Sequence, residues 1–164
     1  GEWSGGTNAM ASTTEDNGYM LFDADSVNYP VSPNYVNLTG ELISPSIDLS
    51  GATSALLEFE QDFRFCCSGN HAITVSVSSD GGTTWGPEIS VLNGTSTNSD
   101  FYGSNGNSYL MQLNISTAAA GNSNVKLKFN WDGNGAGNSH YYWTIDEKNS
   151  RTRLPNRRNN YRSR

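Results

Sequence analysis

Apolar and polar residues alternate along most of this chain, in short runs that are separated by glycine, asparagine and serine. A period of two residues is typical of a half-buried β-strand. The clearest run is 57–65, where only Gln61 interrupts the apolar face. The pattern predicts about eight strands and no helix. The predicted strands are 18–23, 41–49, 57–65, 73–78, 88–92, 109–115, 125–131 and 140–146.

A tight turn follows the strand 73–78. Residues 78–85 fit the pattern Ser-x-Asp-x-Gly-x-Thr-Trp, with Asp80 followed by two glycines. Glycine supplies the positive φ that a tight hairpin turn needs, so Asp-Gly-Gly after a strand predicts a hairpin. The motif occurs once, which argues against a propeller built of repeated blades. Short strands with frequent turns predict an all-β fold, a two-sheet antiparallel β-sandwich with jelly-roll topology.

Charge divides the chain into two parts. All 16 acidic residues lie in 1–147 with three basic ones, whereas 148–164 holds seven basic residues and no acidic one. We therefore predict a sandwich module over 1–147, followed by a basic tail outside the strand pattern. An acidic body disfavours nucleic acid and anionic membranes as partners. No apolar run approaches the roughly 18 residues that span a bilayer, so membrane insertion is not expected.

Two cysteines, Cys66 and Cys67, are adjacent in the sequence. Neighbouring Cα atoms lie about 3.8 Å apart, and an ordinary disulfide needs about 4.4–6.8 Å. The favoured interpretation is a pair of free or buried thiols. No Cys-x-x-Cys motif and no histidine cluster supports a redox or metal role.

Five features occur in a fixed order along the chain. They are Asp23-Ala24-Asp25, Ser44-Pro45-Ser46-Ile47-Asp48-Leu49, the strand 57–65, the hairpin 78–85 and Trp143-Thr144-Ile145-Asp146. Together, over about 15–147, they resemble the MAM-like, choice-of-anchor and cleaved-adhesin jelly-roll modules of secreted Bacteroidetes-type proteins. The resemblance implies a secreted or cell-surface, non-catalytic appendage that accompanies peptidases, glycoside hydrolases or adhesins. The chain departs from that pattern after Glu147, where the basic tail replaces a regular finishing strand.

Several modules of that kind bind Ca²⁺, which takes six to eight oxygen ligands. Asp23 and Asp25 stand two residues apart in a predicted loop. The resemblance implies that the last strand runs near the first, and Asp146 would then approach the Asp23 loop. We predict a structural Ca²⁺ site formed by Asp23, Asp25 and Asp146. The alternative is that these aspartates cap their own turns.

Aromatic rings are candidates for sugar binding, because flat rings pack against the apolar faces of pyranoses. Trp85, Tyr102, Tyr141 and Tyr142 fall in or beside predicted loops, and Tyr142 is expected to be exposed. The alternative for Trp85 is packing on its own hairpin. Two further tryptophans, Trp131 and Trp143, are expected in the core.

Acidic residues recur on one face of the strand 57–65, at Glu58, Glu60 and Asp62. Retaining glycosidases use two carboxyls about 5–5.5 Å apart, so a small glycanase is a distant alternative. A solvated face, or one paired with Lys126 and Lys128, is the favoured interpretation. His71 and His140 have no accompanying Gly-x-Ser-x-Gly nucleophile motif.

The favoured function is therefore a non-catalytic carbohydrate-binding or adhesive module of a larger secreted protein. Its expected partners are a polysaccharide or glycan and an adjacent catalytic domain of the parent protein. The alternative is a structural accessory domain of a secreted hydrolase or peptidase, without a ligand of its own.

Overall fold

The structure is a computed structural model that describes residues 10–28, 34, 36–64, 72–91, 100–101, 108–133 and 142–147. Strands dominate these residues, and the predicted all-β class is confirmed. The strands are β1 (Met20–Asp23), β2 (Thr39–Ile43), β3 (Leu56–Arg64), β4 (Ala72–Ser78), β5 (Ile89–Ser90), β6 (Asp100–Phe101), β7 (Tyr109–Asn114), β8 (Lys126–Asp132) and β9 (Tyr142–Glu147). A 3-10 turn (Glu15–Asn17) and two short helices, α1 (Ala24–Asn28) and α2 (Ser116–Ala119), lie between them.

The strands form two antiparallel sheets. In the first, here called the β9 sheet, the order is β1-β9-β3, and both β6 and β7 pair with the far edge of β3. In the second, the β8 sheet, the order is β2-β8-β4-β5. Most connections carry the chain from one sheet to the other, whereas β4–β5 and β6–β7 stay within one sheet. The β8 sheet is therefore complete only with β8, and the β9 sheet only with β9. The predicted two-sheet sandwich is confirmed.

The core lies between the sheets and follows the alternation of the sequence. On β8, Leu127, Phe129 and Trp131 are buried while the intervening side chains are only partly covered. The ring of Phe129 meets Phe59 edge-on, with centroids 5.2 Å apart, and lies 6.1 Å from Trp143. Since Phe59 and Trp143 belong to the other sheet, these contacts join the two layers. The predicted core positions of Trp131 and Trp143 are confirmed.

Gln61 is completely buried on the apolar face of β3. Its Nε2 donates to the carbonyl oxygen of Val91 at 2.9 Å, and its Oε1 accepts from the indole Nε1 of Trp143 at 3.0 Å. A buried amide is costly unless its donors and acceptors find partners. Gln61 therefore interrupts the apolar pattern because it serves two groups that also lie in the core.

The edge strands β1 and β2 stack across the sandwich. A Cβ added at Gly40 would lie 2.9 Å from a ring carbon of Phe22, so the backbone of β2 passes directly under that ring. Phe22 in turn stacks on Trp143, with ring centroids 5.3 Å apart. This close approach holds the two sheets together at one side.

Several predictions concern residues outside the described part of the chain. These residues are Cys66, Cys67, His71, Tyr102, His140, Tyr141 and the basic tail 148–164.

Candidate functional site

A groove of about 590 Å³ opens between the sheets, where β1 and β3 begin and β2 and β9 end. Its floor is formed by Phe59, Phe129 and Ile145, which belong to the core. Met20 and Ile43 line its mouth and remain 51% and 45% exposed. A groove of this size, with an apolar interior, falls in the range of small-ligand sites.

Acidic and hydroxyl groups stand among these apolar walls. Glu58 from β3 and the last two residues of β9, Asp146 and Glu147, line the groove together with Tyr19 and Ser44. No lysine, arginine or histidine is among the described lining residues. Strand parity directs the carboxylates of Glu58 and Asp146 outward, where they accept from Gln112 and Thr14. Glu147 is therefore the acidic side chain on the same face as the floor residue Ile145.

A segment of the chain before β1 covers the outer face of the β9 sheet. Residues 10–17, here called the strap, are tied to β3 by Thr13, whose N–H and hydroxyl both donate to Oε2 of Glu60 at 2.6 Å. They are tied to β9 by Ser12 and by Thr14, which donate to Oδ2 of Asp146, the latter at 2.8 Å. The strap thus binds two strands through their carboxylates.

The outward face of β3 is buried at Glu60 and Asp62, and the strap lies on it at Glu60. Glu60 stands directly opposite Asp146 in the register, and Asp62 stands opposite Thr144. Only 9% of Glu60 and 1% of Asp62 is exposed. The expected pairing with lysines is wrong, since Lys126 and Lys128 lie on β8 in the other sheet.

Lys128 instead forms an ion pair with the carboxylate of Glu41 on β2, at 3.0 Å.

The two glutamates of the glycanase alternative differ in their surroundings. Glu58 lines the groove and accepts from Nε2 of Gln112 at 2.5 Å. Glu60 is not among the groove residues, and its Oε1 accepts from the Ser108 hydroxyl at 3.2 Å. The two glutamates therefore share the outward face of β3 but have different partners.

The three aspartates of the predicted calcium site are spread along the sheet. β1 does pair with β9, but the register places Asp23 opposite Tyr142. Asp146 is four residues further along β9, about 13 Å away at the usual rise of a strand. The Asp23 carboxylate accepts the Ser26 N–H at 3.0 Å and so caps α1. Asp23 and Asp146 therefore do not meet at one ion, and the side chain of Asp25 lies outside the described ones.

The carboxylate of Asp146 has other partners. Besides the strap hydroxyls, it accepts the N–H of Glu147 at 2.8 Å. Among the described residues, no group of three or more His, Cys, Asp or Glu side chains is arranged to hold a metal ion. The predicted trio does not fit a single calcium centre in this arrangement.

The predicted exposure of Tyr142 is wrong. The side chain is 1% exposed, and its hydroxyl donates to Oδ2 of Asp62 at 3.3 Å. Because alternate residues of β9 face opposite sides of the sheet and Trp143 faces the core, Tyr142 points to the outer side of the sheet. Its side chain is nevertheless buried there. The neighbouring Thr144 donates to the sulfur of Met10 in the strap, at 3.3 Å.

Trp85 packs onto its own hairpin and onto β8. The Lys128 ammonium lies 5.0 Å from the centre of its ring, within range of a cation–π contact. A Cβ added at Gly82 would lie 3.5 Å from the indole. The ring is half-buried, as expected for the alternative in which Trp85 packs on its own hairpin.

The Asp80 carboxylate organises that hairpin. It accepts the Thr84 N–H at 2.9 Å, the Thr84 hydroxyl at 2.6 Å and the Ser78 hydroxyl at 2.7 Å. These bonds, those from Thr84 first, hold the pKa of Asp80 well below its usual range. The group is structural, and none of the hairpin residues 78–85 lines the groove.

Sequence reasoning missed the groove residues Tyr19, Met20 and Ile43, and the strap residues Ser12, Thr13 and Thr14. The consecutive hydroxyls at 12–14 were a usable signal, because such side chains are natural donors to carboxylates. The groove had no local signal, since it is assembled from residues distant in sequence.

No protein-family model matches the chain, and no curated protein matches it. Within the described ranges, no helix has the length and apolar character needed to cross a membrane.

Proposed function

We propose that this chain is a non-catalytic carbohydrate-binding or adhesive module of a larger secreted or cell-surface protein. The observation that carries the proposal is the groove of about 590 Å³, with a ring-bearing apolar floor and the polar residues Tyr19, Ser44 and Glu147 in its lining. Pyranose C–H faces pack on apolar surface, and their hydroxyls donate to carboxylates, so both halves of the lining match a sugar. The groove replaces the loop aromatics as the candidate site.

The strand order supports the expected jelly-roll topology. β9 lies between β1 and β3 in one sheet, and β8 lies between β2 and β4 in the other. Jelly-roll sandwiches include lectin domains. A shared fold does not by itself imply a shared function, so the proposal rests on the groove.

Affinity electrophoresis of the full chain through a panel of neutral polysaccharides tests the proposal. We expect at least one glycan to retard the chain. Ile43→Ser should abolish the retardation because Ile43 lines the groove, whereas Val36→Ser should not. Val36 has a matching exposure of 48% and is not a groove residue. Retardation by no glycan would contradict the proposal.

A structural accessory domain is the second candidate. It is favoured by the exposed aliphatic side chains near the ends of the edge strands, where Met20, Leu21 and Ile43 are 51%, 38% and 45% exposed. Exposed apolar patches often mark interaction surfaces. In that case the groove would dock a neighbouring domain. No glycan would retard the chain, and Ile43→Ser would weaken binding to the adjacent domain of the parent protein.

Calcium remains a separate prediction. If the ion binds the native state, Ca²⁺ must raise the melting temperature of the full chain relative to EDTA. Comparing Asp23→Asn with Asp146→Asn locates the ion, because the structure separates these two carboxylates. A melting temperature that EDTA leaves unchanged would remove the site.

A further inference from the structure

We propose that β1 pairs with β1 of a second copy of this chain, so that the β9 sheets of the two copies join into one continuous antiparallel sheet. This interaction surface is separate from the floor of the groove. The inference therefore stands whether or not the groove binds a glycan.

The edge of β1 that faces away from β9 has no strand beside it within the described part of the chain. All four residues of β1 pair with β9, and β1 pairs with no other described strand. The Asp23 carbonyl accepts the Ser26 hydroxyl at 2.9 Å and so closes this edge at its end. An unpaired strand edge is a template for pairing with another strand.

Exposed apolar side chains are concentrated around this edge. Among the described residues, six large apolar side chains are exposed, and five of them lie between positions 20 and 43. Met20 and Leu21, on β1 itself, are 51% and 38% exposed. Exposed apolar patches often mark interaction surfaces.

The other described edges are less suited to pairing. β2 has Glu41 at its centre, and a charged side chain on an edge strand opposes pairing. β5 is two residues long. The exposed side chains of β7, Gln112 and Asn114, are polar. Among these edges, unpaired backbone and exposed apolar side chains therefore coincide on β1.

The sequence of β1 is complementary to itself in an antiparallel register. A two-fold axis through Leu21 would place Leu21 opposite Leu21 of the second copy, and Met20 opposite Phe22. Opposite residues of an antiparallel pair share a face of the sheet. This register meets that condition, because Met20 and Phe22 are two residues apart and lie on the side where Phe22 stacks on Trp143.

Charge favours the same register. Asp23 is the one charged residue in 19–23, and it would lie opposite Tyr19 of the second copy. Like charges directly opposite each other destabilise a strand pair, and the register keeps the two aspartates apart. A symmetric pairing of β2 about Glu41 would bring two glutamates together. Self-complementarity makes a second copy the partner that β1 fits.

The net charge of −6 opposes the association of two copies. Salt screens this repulsion and leaves the apolar contact along β1 in place. We therefore expect dimerisation to strengthen as salt is added, whereas an association based on ion pairs would weaken.

Sedimentation equilibrium of the full chain over a range of concentrations tests the proposal. We expect a monomer–dimer equilibrium whose dissociation constant falls between about 50 mM and about 500 mM salt. A chain that remains monomeric at every concentration would overturn the proposal, and so would a dimer that salt weakens. Binding of glycans in affinity electrophoresis is a separate measurement, so the failure of one proposal leaves the other intact.

Leu21→Lys tests the edge, because it places two lysines opposite each other at the two-fold axis. We expect it to weaken the dimer about tenfold. Leu56→Lys is the matched control, since Leu56 is an aliphatic strand residue that is 58% exposed but lies on β3. Far-ultraviolet circular dichroism shows whether each variant is folded. A dimer that Leu21→Lys leaves unchanged, or that both variants weaken equally, would contradict pairing through β1.

Photo-crosslinking tests the register without depending on a destabilising variant. A photoreactive residue is placed at position 21, with position 56 as the control, and isotope-labelled and unlabelled chains are mixed so that crosslinks between copies are identified by mass. Crosslinks from position 21 to residues 19–23 of the other copy would support the proposal. Crosslinks to any other part of a second copy, or to residues 148–164 of the same chain, would show a different occupant of this edge and overturn it.

Discussion

At the scale of single residues, Gln61 shows how one polar side chain becomes part of an apolar core. Its amide serves both the Val91 carbonyl and the Trp143 indole. The strand pattern shows that position 61 faces the core, but it does not show which buried donors and acceptors lie near that position. The sequence therefore predicts that Gln61 points inward, and does not predict the groups to which its amide bonds.

Gln61→Leu should destabilise the protein although it makes the core more apolar. Two buried groups would lose their partners, and each such loss costs about 1–3 kcal/mol, so we expect the free energy of unfolding to fall by about 2–5 kcal/mol. Urea denaturation measures the change. Gln112→Leu, at an exposed position of β7, is the control and should be nearly neutral. A neutral Gln61→Leu would contradict the bonding described.

Asp80→Asn should lower stability at neutral pH, with a dependence on pH. Hydrogen bonds from Thr84 and Ser78 favour the carboxylate and hold the native pKa below that of the unfolded chain. The stabilisation is therefore complete above the unfolded pKa, about 3.9, and is lost as the pH falls toward the native value.

The measurement is the melting temperature of wild type and Asp80→Asn across pH. The difference between them should be constant above about pH 5 and shrink below about pH 4. The exposed variant Glu88→Gln corrects for general charge effects. A difference that persists unchanged to the lowest pH would show that the carboxylate's charge is not the cause.

At the scale of elements, the strap explains why Glu60 is buried on a face that the sequence predicts to be solvated or paired with lysines. Alternation along β3 and β9 correctly separates the core face from the outward one. It cannot tell whether water or another segment covers the outward face. The strap lies against Glu60, Thr144 and Asp146, and Glu60 is buried there. Polar segments without periodicity give no signal of where they will lie.

Asp146→Asn should loosen the strap without unfolding the sandwich. The Asp146 carboxylate holds the hydroxyls of Ser12 and Thr14, and bonds to a charged acceptor contribute about 1.5–3 kcal/mol. Limited proteolysis should cut residues 10–17 faster in the variant while the strands remain resistant. Asp48→Asn, an exposed residue distant from the strap, is the control. Equal cleavage rates would contradict the role given to Asp146.

At the scale of the whole molecule, the fold class was more predictable than the site. Strands such as β4 and β8 carry their own alternation, and alternation is a local property. The groove unites the start of β3 with the end of β9, so it depends on a register that no local pattern encodes. The separation of Asp23 from Asp146 has the same cause, because adjacency of two strands does not fix which residues face each other.

Phe129→Ala should destabilise the entire sandwich, because this ring joins both sheets. Truncating a buried phenylalanine costs about 3–5 kcal/mol. Chemical denaturation should show the loss as one cooperative transition, with near- and far-ultraviolet circular dichroism coinciding. Phe129→Leu fills more of the space and should cost less. Separate transitions by the two probes would indicate that the sheets unfold independently.

The central place of β9 has a consequence for biosynthesis. β9 is the last described strand in sequence, yet it stands between β1 and β3. A nascent chain on the ribosome cannot join these two strands until residues 142–147 have emerged. The β9 sheet can therefore be completed only after β9 has left the ribosome, and until then Phe22 lacks the Trp143 ring on which it stacks.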